Sequence, residues 1–200
     1  MQSSSLFVYG SFVSGMVHHH RLLKFVKQSR RVSVHGCVYR LPVGYPVMMA
    51  EGADIIEGEL LDLEPSSSIL WALLDEFHGV HPSQPEKSVF WRKTLQVTSR
   101  EGQLFATQAY VVNPQKLPEN AVYIEKGDWR KCLRENPPVS QLLTERQIRY
   151  IYKLGSTTGR EIVPIELDLY RELLKLDIIV DKGRRLALTR LGKDVFRYLE

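Results

Sequence analysis

Cysteine is scarce in this chain: Cys37 and Cys132 are the only two in 200 residues. Two thiols with no C-x-x-C spacing exclude a disulfide framework and a thiolate metal site, and they fit a reducing cytoplasm. No apolar run approaches the ~20 residues needed to cross a bilayer. Met1-Gln2-Ser3-Ser4-Ser5 has neither a basic segment nor an apolar one, so no secretory signal is expected. Internal repeats and low-complexity tracts are missing too, which argues against a solenoid or a disordered tail. Charge of one sign is barely in excess. The net charge is +4, and Ser140 to Glu200 holds most of it, with 12 Lys and Arg against 9 Asp and Glu. An imbalance that small fits a solvated surface as well as a nucleic-acid footprint.

What remains is an ordinary globular composition, 44% hydrophobic and 25% charged, long enough for a core and for one domain with an appendage or two small domains. The most informative stretch is Leu6-Phe7-Val8-Tyr9-Gly10-Ser11-Phe12. Its apolar and aromatic residues suit a buried strand. Gly10 then permits a turn that a Cβ would block. Successive amides in such a turn can converge on an anion, although most strands that end in Gly-Ser are plain turns.

The segment from Val17 to Val26 reads as a short helix. His18, His19 and His20 lie within it, and consecutive helical residues point about 100° apart, so they do not share one metal ion. One histidine packed inward and two in water is the expectation. Strands are expected from Arg31 to Pro42, Ile55 to Leu63, Phe90 to Val97 and Leu104 to Val112, with a turn at Gly44-Tyr45-Pro46. Gly58 marks a bulge or a close backbone crossing. A helix opens at Pro65-Ser66-Ser67-Ser68, with Ile69, Leu70, Leu73, Leu74 and Phe77 as its apolar stripe and Gly79 as its C-cap. Glu125 to Arg130 closes a strand-rich first domain, residues 1–135, and Asn136-Pro137-Pro138 begins a linker over 136–140.

Residues 141–200 read as a second domain. Thr144 caps a helix with Ile148, Ile151 and Tyr152 inward and Gly155 at its end. A second helix runs from Glu166 to Leu176 with Leu169, Leu173 and Leu176 in register. Ile178 to Thr189 reads as a hairpin, and Thr189 or Asp194 starts a last helix. This order resembles a winged-helix module. Its wing tip carries Lys182, Arg184 and Arg185, the candidates for phosphate contact. The helix that would enter a groove mixes Glu166, Asp168 and Glu172 with Arg171 and Lys175, which favours a protein contact or a structural role over nucleic acid.

Several pieces of the first domain, in their order and spacing, resemble the γ-glutamylcyclotransferase-like (AIG2-like, γ-glutamylamine cyclotransferase) superfamily. They are Val8 to Phe12, the segment His18 to Leu23, Gly44-Tyr45-Pro46, Glu57-Gly58-Glu59, Leu74-Asp75-Glu76-Phe77-His78-Gly79, Phe90-Trp91-Arg92, the Tyr110 strand and Gly127 to Arg130. The resemblance implies an α+β fold, a small mixed β-barrel with a cavity, followed here by the winged-helix-like domain. It implies that the amides of Tyr9, Gly10, Ser11 and Phe12 bind a substrate carboxylate, with Phe12 in place of the usual Leu. It also implies that Tyr110 borders the cavity, although plain barrel packing explains that tyrosine equally. Arg92 and Trp129 read as structural. The family reaction needs no cofactor: the α-amino group of a γ-glutamyl substrate attacks its own side-chain amide carbonyl, 5-oxoproline forms, and an amine or amino acid leaves. One general base is enough.

The family carries that base as a Glu, and here the position is His78. Three readings stay open: His78 as the base, Glu76 as the base despite lying about 200° round the helix, or a barrel without the reaction. In the last case the protein binds a small molecule, or acts as an interaction module through its tail. For His78 itself, a histidine favoured by the helix C-terminal dipole is the structural alternative. A small-molecule ligand, no metal and no membrane are expected. Oligomeric state is not encoded in any motif.

Overall fold

The computed structural model describes residues 5–64, 68–157 and 161–199. Backbone contacts divide the chain into two compact units, one of residues 1–41 and 45–135, the other of 42–44 and 136–200. The short segment Pro42–Gly44 thus belongs with the second unit, a grouping that the reading of residues 1–135 as one domain does not contain.

The first unit is a barrel. Its strands are β1 (Ser5–Val8), β2 (Val26–Arg40), β3 (Pro46–Leu63), β4 (Phe90–Ser99), β5 (Leu104–Val112) and β6 (Val122–Ile124). They run in the order β3-β1-β5-β4-β2-β6, and β2 also pairs with β3, which closes five strands on themselves. β1 is parallel to β5 and antiparallel to β3, so the barrel is mixed. Closure leaves most backbone groups of the five strands inside a ladder and removes their edges. The interior holds Phe7, Val32, Val34, Ile56, Leu60, Val97, Ala109 and Val111, all buried.

Gly58 is the close crossing expected of it: a Cβ there would lie 2.4 Å from the Val8 carbonyl oxygen and 2.5 Å from the Phe7 ring. β3 is a single long strand that starts at Pro46, well before the strand expected from Ile55. Its register against β2 shifts between Gly36 and Cys37, where the pairing jumps from Asp54 to Met49. Pro46 sits at its first residue, the one place in a strand where a missing N–H does no harm.

The helix expected around Val17–Val26 is two 3-10 turns, His19–Arg21 and Leu23–Phe25. The His18 amide donates to the Ser11 carbonyl at 2.8 Å, and β2 starts at Val26, so the segment is tied at both ends before a full α-turn can form. His18 is the histidine that packs inward, while His20 is exposed. Helix α1 (Ser68–His78) buries Leu70 and Leu74, but Ile69 and Leu73 are exposed. The expected opening of this helix at residues 65–67 lies outside the described residues, which begin again at Ser68, the first residue of α1. The unit ends with α2 (Trp129–Glu135), which buries Trp129 and Leu133.

The second unit holds α3 (Val139–Leu142), α4 (Glu145–Gly155), α5 (Leu167–Lys175), β7 (Ile179–Asp181), β8 (Leu186–Leu188) and α6 (Arg190–Leu199). Thr144 and Gln147 form a full capping box on α4. The inward tyrosine of α4 is Tyr150, not Tyr152, which is 51% exposed. Leu176 is also exposed, because Asp177 turns the chain with a φ of 54° just beyond α5. Thr189 caps α6 by accepting from the Gly192 amide at 2.9 Å. Among the described residues no helix is long and apolar enough to cross a membrane.

Candidate active site

β1 delivers the first part of the site. Tyr9 leaves the strand in an extended conformation, Gly10 takes a φ of 61°, and Gly10–Phe12 forms a 3-10 turn. A Cβ on Gly10 would meet the Pro46 ring at 2.9 Å. Only glycine combines that φ with that approach at low cost. The Gly10 and Ser11 amides open the turn, so neither has an acceptor inside it. The Tyr9 hydroxyl accepts from the Met48 amide at 2.8 Å and donates to the Tyr110 carbonyl at 3.4 Å. The Tyr9 side chain therefore fastens β1 to β3 and β5.

Helix α1 delivers the second part. Its end is a Schellman turn: the Gly79 amide donates to the Glu76 carbonyl and the Val80 amide to that of Asp75. His78 is the last helical residue. Its ring lies flat on Tyr110, with centroids 4.0 Å apart and planes 8° apart. Phe12 is 5.5 Å away, and Phe77 and Phe90 meet the imidazole edge-on at 5.1 and 5.2 Å. A carbonyl only accepts, so the 2.8 Å contact with Leu74 O makes His78 Nδ1 the donor. In the neutral ring Nε2 is then the basic nitrogen.

The chain thus brings His78 and Tyr110 beside the turn, at Phe12. Glu76 is not part of this group: it is exposed on α1, which is still helical at that point. The position about 200° round from His78 that its spacing gives is where it stays.

Asp75, quoted in the sequence only as part of the helix-end motif, and Arg92, read as structural, complete the cluster. Asp75 accepts from the Tyr110 hydroxyl at 2.6 Å and pairs with Arg92 at 3.4 Å. Burial, and then the bond to Asp75, push the Tyr110 hydroxyl well above the usual tyrosine range. Arg92 also lies over Trp71, with the guanidinium carbon 5.0 Å from the ring centre. Asp75 adjoins the helix end already singled out, and that was the signal available for it. His18 is the inward histidine expected of the run, but its place beside Phe12 was not signalled. Its ring sits 5.4 Å from Phe12, 5.2 Å from Phe77 and 5.8 Å from Tyr45.

The result is an aromatic nest. Ser11 and Phe12 are each only 7% exposed. The rings of His18, Phe77 and His78 pack around Phe12 at the turn. Among the described residues no group of three or more His, Cys, Asp or Glu is arranged to hold a metal ion.

A family model described as γ-glutamyl cyclotransferase, AIG2-like, matches residues 6–131. The chain belongs to that family. Its match runs from β1 into the first turn of α2 and so includes the Gly10–Phe12 turn, α1 and Tyr110. No curated protein matches the chain. Solved structures similar to it include YkqA from Bacillus subtilis, at 20% identity and a TM-score of 0.49 over 67% of this chain. This chain spans 42% of YkqA. An AIG2-like protein from Mus musculus is 21% identical with a TM-score of 0.44, over 62% of this chain and 88% of the mouse chain. A structure titled gamma-glutamyl cyclotransferase is 14% identical with a TM-score of 0.44, over 87% of this chain and 99% of the other.

In the second unit Lys182, Arg184 and Arg185 are exposed at the tip between β7 and β8. Gly183 makes the turn there, its amide donating to Asp181 at 2.7 Å.

Proposed function

We propose that this cyclotransferase-family barrel binds a small carboxylate-bearing molecule at the Gly10 and Ser11 amides and does not perform the ring closure to 5-oxoproline. The observation that carries this is the setting of His78. Ring closure needs a group that takes a proton from the substrate ammonium and hands one to the leaving amine. Where the family places a carboxylate, this chain places an imidazole packed face-on to Tyr110. Once protonated, that ring is a cation beside the ammonium it would have to attract. Asp75 is committed to Tyr110 and Arg92, and Glu76 is exposed, so neither supplies the missing charge.

A second reading keeps the reaction, with His78 as the base. The Nδ1 bond to Leu74 favours it, since it fixes the tautomer and orients Nε2 as the proton acceptor. One experiment separates the two. The pure protein is mixed with γ-glutamyl amines and dipeptides, 5-oxoproline is assayed, and binding of glutamate and 5-oxoproline is followed by NMR. No product, with saturable binding lost in Ser11→Pro, is the expected result. Product that disappears in His78→Ala establishes the second reading, and absence of both product and binding removes the first.

The second unit supports a winged-helix reading through its element order. On α5 the exposed Asp168 and Glu172 offset Arg171 and Lys175, and Glu172 accepts from Gln147 at 3.0 Å. We read it as a protein-contact or structural module in a cytoplasmic protein rather than as a nucleic-acid reader.

A further inference from the structure

Where β2 meets β4, the first unit carries a cleft of about 320 Å³ whose wall includes Arg31, Ser33, Glu57, Thr98, Arg100 and Arg130. None of the turn residues 10–12, nor His78 or Tyr110, lines it. The cleft follows from the barrel's construction. β2 and β4 share only two residue pairs, Val32 with Ser99 and Ser33 with Thr98. Beyond them no further pairs join β2 to β4, and residues of β2, β3, β4, the turn after β4 and α2 line the gap.

Three arginines line one concavity, and their partners are the informative feature. Elsewhere on the barrel, Arg30 is paired with Asp62 and Arg92 with Asp75. Arg31, Arg100 and Arg130 make no ion pair among the described residues. Arg130 is also preset. Its guanidinium carbon lies 4.4 Å from the centre of the Trp129 ring, and that ring is fully buried and anchored by an N–H bond to the Glu57 carbonyl at 2.9 Å. A held guanidinium loses less freedom on binding than a loose one. The hydroxyls of Ser33 and Thr98 line the same wall, and neither bonds to a protein group among the described residues.

Like charges gathered in a recess repel one another, and an anion between them removes that repulsion. Forked donors with nearby hydroxyls suit a phosphate, which accepts several charge-assisted bonds at once. The one carboxylate of the wall, Glu57, leaves the cleft net positive by two and offers an acceptor for a hydroxyl on the rest of the ligand. We propose that this cleft binds a small phosphate monoester. Its phosphate is held by Arg31, Arg100 and Arg130, and the esterified alcohol lies toward Glu57. The volume falls at the lower end of ligand cavities, which run from about 300 to 1,000 Å³, and so fits a molecule the size of a triose phosphate rather than a nucleotide.

Calorimetric titration of the full chain with glycerol 3-phosphate and with inorganic phosphate tests this. Saturable 1:1 binding is expected, tighter for the ester, weaker at high salt, and reduced at least tenfold in Arg31→Gln and in Arg130→Gln. Both variants should keep the circular dichroism of the parent. Binding should be unchanged in Ser11→Pro, which separates this site from the turn, and in a triple Gln substitution of Lys182, Arg184 and Arg185. An absence of heat, equal losses in all variants, or binding only to heparin or to vesicles containing phosphatidic acid would overturn the proposal.

Discussion

His78 and Tyr110 form a face-to-face stack with ring centroids 4.0 Å apart, and the Tyr110 hydroxyl donates to Asp75, three residues earlier on the helix that His78 terminates. One tyrosine thus grips the last turn of α1 by a ring contact and a hydrogen bond. This grip seats the helix end beside the Gly10–Phe12 turn.

His78→Ala should therefore cost stability whatever the protein binds. The substitution removes a ring enclosed by Phe12, Phe77, Phe90 and Tyr110. A loss of about 2 kcal/mol is expected, from vacated volume and a lost aromatic stack. Urea unfolding of the two proteins measures it, and an unchanged midpoint would mean that the stack contributes nothing.

Tyr110→Phe tests the other half of the grip and carries a pH signature. Tyr110 holds its proton in the folded state above the pH at which an unfolded tyrosine loses it, near 10. Its contribution is complete below that pH. It declines as pH rises further, because the unfolded chain gains by ionising and the folded one does not. Unfolding free energy should fall above about pH 10 in the parent and fall less steeply in Tyr110→Phe. At neutral pH the variant should lose about 1 kcal/mol.

Two glycines should respond very differently to alanine. At Gly10 the new Cβ meets the flexible edge of the Pro46 ring at 2.9 Å, with a φ of 61°. About 1–2 kcal/mol of destabilisation is expected there, chiefly backbone strain. At Gly58 the Cβ meets the Val8 carbonyl oxygen at 2.4 Å, inside a closed barrel that does not yield. That variant should fail to accumulate as folded protein, as judged by solubility and near-ultraviolet dichroism.

Duplex DNA should not be retarded by the protein in a gel at physiological salt, and the Lys182, Arg184 and Arg185 substitutions should change nothing. Retardation that those substitutions abolish and salt weakens would assign the basic tip to phosphate contact.

Much of the barrel was legible because its strands alternate. Along β4 more and less buried residues alternate, whereas Ala109 to Val112 of β5 are buried on both faces, and Gly79 announced the end of α1 through the φ of 60° it adopts. What was hidden depended on tertiary partners. Leu22 and Leu23 look equally apolar, yet Leu22 is fully buried and Leu23 is 59% exposed, because 3-10 turns present residues at a different pitch. The choice between Tyr150 and Tyr152 was set by α4 packing through Gln147, Tyr150, Ile151 and Leu154. At the site, the residues of the turn and the helix end could be named from their motifs. The rings that overlie them could not, since Tyr45, Phe77 and His18 come from separate segments that only the folded barrel brings together.

The two residue pairs that join β2 to β4 make that junction the expected place for the cylinder to open first. Every other junction around the five-stranded closure is longer or shares its load with a neighbouring ladder, save the short β1–β5 contact held by the Tyr9 hydroxyl. Amide deuteration should consequently start at Ser33 and Ser99 and reach Leu60 and Leu61 last, a hinge line running through the middle of an otherwise continuous wall.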